Sequence, residues 1–145
     1  MTRILVGFDG SPSARRALER GVARARETKG ELLVVTVIPE STRASSLARM
    51  MPAGVELPKD FGGTFEEHAR ARLDEVVAHA RKAGALAKSE IRSGVPFDGI
   101  LAAAMEFGAD EILLGVKSFE GPEEEQGPNA TEVAARANVP VTLVP

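Results

Sequence analysis

The chain has 145 residues, enough for one domain with a substantial core, and carries a formal net charge of −3 with a pI near 5.5. That balance excludes general attraction to nucleic acid or anionic membranes, and no apolar run approaches the roughly 20 residues that a bilayer span needs. Cysteine, tryptophan and tyrosine are absent, so disulfides, thiolate metal sites, Cys nucleophiles and aromatic stacking platforms for single strands fall away. A strand begins within the first few residues, which leaves no room for a signal peptide and predicts a cytoplasmic protein.

Arg3 to Phe8 is a short apolar run that reads as a buried strand, punctuated by Asp9-Gly10-Ser11-Pro12. Ser11 can accept a hydrogen bond from a first-turn amide, and Pro12 suits the first helical position, where no N–H is needed. Asp9 therefore falls at the carboxyl end of the first strand, where open α/β sheets bind ligands. The helix runs to about Lys29 with Ala14, Ala17, Leu18, Gly21, Val22 and Ala25 on one apolar face, and Arg15, Arg16, Glu19, Arg20, Arg24 and Arg26 elsewhere. Gly30 is expected to end it. Leu32–Ile38 is a second strand, apolar on both faces as buried parallel strands are.

Residues 39–63 form a long connection that includes Met50, Met51 and Pro52, a length usually reserved for functional loops. Thr64-Phe65-Glu66-Glu67 has the form of a capping box and predicts a helix with Ala69, Leu73, Val76, Val77 and Ala80 inward, stopping near Gly84. Leu86–Ser93 carries Lys88, Glu90 and Arg92 at alternate positions, as an exposed edge strand would. Pro96 opens a third helix with Ile100, Leu101, Ala104 and Met105 on its apolar side, ended by Gly108. Glu111–Leu114 is a fourth strand running into Gly115, and 116–128 is irregular. Asn129 to Glu132 caps a short last helix with Val133, Ala134 and Ala137 inward, and residues 140–145 close the chain as a fifth strand. This alternation predicts right-handed crossovers and an open parallel five-stranded sheet with helices on both faces.

At this point the residues resemble a family. Ile-Leu-Val-Gly-Phe-Asp-Gly-Ser at 4–11, Gly-Ala-Asp-Glu-Ile-Leu-Leu-Gly at 108–115 and Ala-Asn-Val-Pro-Val-Thr-Leu-Val at 137–144 are similar to the universal stress protein family, over residues 1–145. The resemblance implies a Rossmann-like α/β domain with strand order 3-2-1-4-5. It also implies a homodimer through the last strand, where Val141, Leu143 and Val144 would lie on an exposed edge in a monomer. Many members bind ATP through G-x2-G-x9-G-[S/T] after the fourth strand. Carried over, the nucleotide contacts are Phe8, Asp9, Val37, Gly115, Val116, Ser118, Gly127 and Asn129, with Asp9 on the ribose side and Val37 on the adenine side. ATP or AMP with Mg²⁺ is the cofactor so implied.

The phosphate motif departs from that pattern in three ways. Ser118 replaces its second glycine, the Gly115–Gly127 spacing is one residue short, and Pro128 replaces the hydroxyl residue. A phosphate cradle needs converging N–H groups and close backbone approach; Pro128 removes a donor and Ser118 adds a Cβ. Glu120, Glu123, Glu124 and Glu125 with Lys117 give the segment a net −3. Two like charges about 4 Å apart repel by roughly 4 kcal/mol at an effective dielectric near 20. The expectation is a stress-response or signalling protein whose nucleotide crevice holds ATP weakly or not at all. The alternative is an ATP- or AMP-binding member with slow hydrolysis.

Other features read as structure. Asp9 divides evenly between ligand contact and capping of the first helix. The acidic run lacks EF-hand spacing and reads as a solvated loop. Ser118 has no histidine near it in the pattern, and His68 and His79, three turns apart on one helix, cannot share a metal. No general base, arginine finger or metal-binding carboxylate pair is identifiable, so no catalytic residue is assigned.

Overall fold

The central strand is β1 (Arg3–Gly7), and the chain builds outward from it in both directions. A computed structural model describes the backbone of residues 2–38, 61–116 and 130–145, and side chains over 2–38, 66–116 and 131–145. After β1 come α1 (Pro12–Thr28), β2 (Glu31–Ile38), α2 (Phe61–Lys82), β3 (Leu86–Ser93), α3 (Pro96–Phe107), β4 (Glu111–Gly115), α4 (Ala130–Arg136) and β5 (Val141–Val144). The strands form one sheet in the order β3-β2-β1-β4-β5, and every pairing is parallel. This is the predicted fold, with the charged strand β3 on the edge.

Side-chain alternation along the strands divides the core between the two faces. Ile4 and Val6 of β1 and Leu32 and Val34 of β2 pack with Ala17, Leu18 and Val22 of α1 and Leu73, Val76 and Val77 of α2. Leu5, Leu33, Val35 and Val37 face the other way, against Ile100 and Phe107 of α3 and Val133 of α4. Each large side chain fully buried in these layers contributes about 1.5–3 kcal/mol.

The α1 termini form much as their residues require. Ser11 Oγ accepts from the Ala14 N–H at 3.2 Å, and Pro12 opens the helix. At the other end it is Lys29, not Gly30, that takes the left-handed conformation, at φ 54°. Gly30 is needed for a different reason: a Cβ there would strike the Thr2 carbonyl oxygen.

Several local expectations are corrected. Helix α2 begins at Phe61, so Thr64 lies inside it and is not a capping residue. Helix α3 turns Phe97, Ile100, Ala103, Ala104 and Phe107 inward, while Met105 is 78% exposed. In α4, Val133 is buried but Ala134 is exposed. On β5, Val144 is only 3% exposed and sits in the core under α1, while Val141 and Leu143 pack partly against the opposite layer. Val144 is therefore not an exposed edge side chain; the helices cover it within one chain. The Met50–Met51 pair lies outside the described residues.

The β3 edge is guarded by charge. Arg92 donates to Glu90 at 3.1 and 3.2 Å and also pairs with Glu106 of α3. Partial burial pulls its guanidinium down, but the hydrogen bonds to Glu90 and Glu106 outweigh that and hold it above its ordinary value. At the other side of the sheet, Arg24 of α1 pairs with the largely buried Glu111 at the start of β4, at 3.0 Å.

Candidate functional site

The register of the sheet locates an opening. β1 pairs with β4 only as far as Val6↔Leu113, whereas β1 stays with β2 to Gly7↔Val35 and β4 stays with β5 to Gly115↔Val144. Beyond Val6 the two middle strands therefore part. This is the point where successive connections stop moving toward β3 and begin moving toward β5, and such switch points form crevices at the carboxyl edge of a sheet.

The floor of the opening is the turn after β1. The Phe8 N–H donates to the Val35 carbonyl at 2.8 Å, and the Thr36 hydroxyl donates to the Phe8 carbonyl at 2.8 Å. The Phe8 ring has no exposed surface and packs in the α1/α2 layer, so it supports the turn from beneath. Asp9 is partly exposed at the rim, and its Oδ1 accepts from the Ser11 N–H at 2.9 Å. Ser11, not Asp9, caps α1; the Asp9 carboxylate shapes the turn that leads into the helix. Gly10 has φ +85°, a conformation that L side chains rarely adopt.

On the other side, Gly115 ends β4 against the start of α1. A Cβ at Gly115 would lie 2.5 Å from the Ala14 amide nitrogen and would also strike Ser13 Oγ. Val116 is 43% exposed, but its N–H is committed to the Val144 carbonyl at 2.8 Å. Val37 is buried one strand away, packed against Gly99 of α3. The structure thus brings Phe8, Asp9, Gly115 and Val116 to the β1/β4 edge, with Val37 in the adjoining strand. Ser118, Gly127 and Asn129, with the acidic run 120–125, lie outside the described residues.

Two residues that the sequence did not bring to this edge stand beside the turn. Arg15 lies over the Phe8 ring, its Cζ 5.7 Å from the centroid, and Arg72 of α2 donates to the Asp9 carbonyl at 3.3 Å. Arg15 follows Ser11 by four residues, one helical turn, which was the available signal; nothing local marks Arg72. Among the described residues, no group of three or more acidic or histidine side chains could hold a metal ion, and no helix is long and apolar enough to cross a membrane. An open groove of about 440 Å³ lined by Glu66, Glu67, Arg70, Ile91 and Ser93 lies at the β3 edge, two strands from β1. It is distinct from the β1/β4 opening.

Comparison with known proteins agrees with this architecture. The universal stress protein of Bacillus subtilis named YxiE is 26% identical over 144 residues, covering 98% of this chain and 97% of that protein. A universal stress protein structure from Burkholderia pseudomallei superposes with a TM-score of 0.75 at 24% identity, covering 99% of this chain and 96% of the other. The universal stress protein from Archaeoglobus fulgidus, solved in complex with dAMP, gives 0.70 at 24% identity, covering 100% and 98%. The family model for universal stress proteins matches residues 1–145, and the chain belongs to that family.

Proposed function

We propose that this protein is a cytoplasmic stress-response or signalling protein that binds an adenine mononucleotide in the β1/β4 opening and holds ATP weakly or not at all. The observation that carries the reading is the parting of β1 from β4 beyond Val6, with Asp9 on one rim and Gly115 on the other. The complex of the Archaeoglobus fulgidus relative with dAMP supports a monophosphate as the ligand class. Against a triphosphate stand Pro128, which removes one N–H donor from the phosphate motif, Ser118, which adds a Cβ to it, and the net −3 of segment 117–125, which opposes added negative charge. The same reading includes a homodimer joined through β5.

Calorimetry with AMP, ATP and adenosine on the purified full chain tests the reading, with native mass spectrometry to identify any co-purified nucleotide. AMP is expected to bind more tightly than ATP in the absence of divalent metal. No binding of any adenine compound would overturn the proposal.

A further inference from the structure

Two cations from different helices converge on the turn after β1. Arg15 of α1 rests on the face of the Phe8 ring, and Arg72 of α2 rests on the Asp9 carbonyl. Arg72 approaches so closely that a Cβ on Gly10 would lie 2.6 Å from its Nη1. Gly10 thus serves the turn twice, by its positive φ and by leaving room for a guanidinium.

Both arginines are exposed, and each leans on a neutral partner. Arg24, Arg92 and Arg136 are different: each pairs with a glutamate. Among the described residues no carboxylate comes within ion-pair distance of Arg15 or Arg72. The Asp9 carboxylate accepts from the Ser11 N–H. A guanidinium has five N–H donors in a planar fork, and a single carbonyl contact leaves most of them directed outward. Fixed guanidinium forks match the spacing of phosphate oxygens, and charge-assisted bonds of this kind are roughly twice as strong as neutral ones.

We propose that Arg15 and Arg72 form a phosphate clamp at the rim of the β1/β4 opening, holding the monophosphate of an adenine nucleotide. The inference rests on the nucleotide reading above and moves phosphate recognition from the loop after β4 to the turn after β1. It explains how a chain with Ser118 and Pro128 in its phosphate motif can still favour a nucleotide over a nucleoside.

The test is calorimetry at low and high salt with AMP and adenosine, on the unmodified chain, R15Q/R72Q, R15K/R72K and the control R20Q. The unmodified protein should bind AMP more tightly than adenosine, with added salt narrowing the gap. R15Q/R72Q should lose AMP affinity by about tenfold or more while adenosine binding changes less than about twofold. R15K/R72K should recover part of the loss, and R20Q should behave as the unmodified chain. Equal affinity for AMP and adenosine in the unmodified protein would overturn the clamp and leave nucleoside binding intact. An equal loss of both ligands in R15Q/R72Q would also overturn it, since that is damage to the turn. Failure of both ligands to bind any form would overturn the nucleotide reading and the clamp with it.

Discussion

Gly115 is pressed against Ala14, the end of one strand against the first turn of another element's helix. A Cβ at Gly115 would stand 2.5 Å from the Ala14 amide nitrogen, and the obstructing atoms include backbone. No side-chain rotation can relieve that clash. The same contact fixes the spacing between the β4 rim and the start of α1, so stability and the shape of the mouth are linked through it.

Gly115→Ala is therefore expected to destabilise the protein by about 1–3 kcal/mol or more, the range for forcing extra volume into a packed site. Urea unfolding would measure it, read as a lower midpoint with unchanged slope. An unchanged midpoint would mean that α1 and β4 separate without cost. That would contradict the tight fit assigned here.

Lys29 predicts the opposite sign. It is the one non-glycine among the described residues with positive φ, at 54°, and it ends α1 with its N–H donating back to Arg26 at 3.3 Å. The left-handed conformation costs an L-residue roughly 1–2 kcal/mol, while glycine loses about 0.5–1 kcal/mol more backbone entropy on folding. Lys29→Gly should stabilise by up to about 1 kcal/mol. For a domain of this size that is a rise in Tm of a few degrees. A lower Tm would show that the lysine side chain contributes more than its backbone strain costs.

Much of this fold is legible in the residues because strand and helix periods differ and the punctuation is strong. The alternating charges of Lys88, Glu90 and Arg92 mark β3 as an edge, and Ser11-Pro12 marks the start of α1. Helix α3 was misread because Ala102, Ala103 and Ala104 give the pattern no size contrast. Phe97, Ile100 and Phe107 share its buried face, whereas Met105 follows Ile100 by five residues, about 140° around the helix. The rim residue Asp9 was legible because it follows the end of the first strand by two residues. Arg72 was not, because 63 residues separate it from Asp9 and only the crossover through β2 brings them together.

The burial of Val144 changes the argument for a dimer but not its expected place. Its side chain is already covered, so what remains on the outer side of β5 is the unpaired backbone edge, with Val141 and Leu143 partly exposed. Sheet edges of this kind pair readily with a second copy. Light scattering should give about twice the 15.3 kDa chain mass at micromolar concentration. A monomer mass under those conditions would show that a four-residue edge is too short to join two copies once Val144 is covered.

The acidic segment gives the last prediction. Glu123, Glu124 and Glu125 follow Gly115, the last residue of β4, by eight to ten positions in the sequence. If their charge is what opposes further phosphates, neutralising it should help ATP more than AMP, because each added phosphate brings more negative charge toward the same carboxylates. E123Q/E124Q/E125Q is therefore expected to raise ATP affinity by a larger factor than AMP affinity, with adenosine unchanged. Added salt should shrink the difference, since exposed charges farther apart than about 10 Å are largely screened at 0.1 M. Calorimetry on the six combinations of the two proteins with ATP, AMP and adenosine decides it. Submicromolar ATP binding to the unmodified protein without divalent metal would remove the premise, because neither the glutamates nor Pro128 would then be an obstacle. Equal gains for ATP and AMP would place the repulsion at the first phosphate, beside Arg15 and Arg72, rather than along the chain of phosphates beyond it.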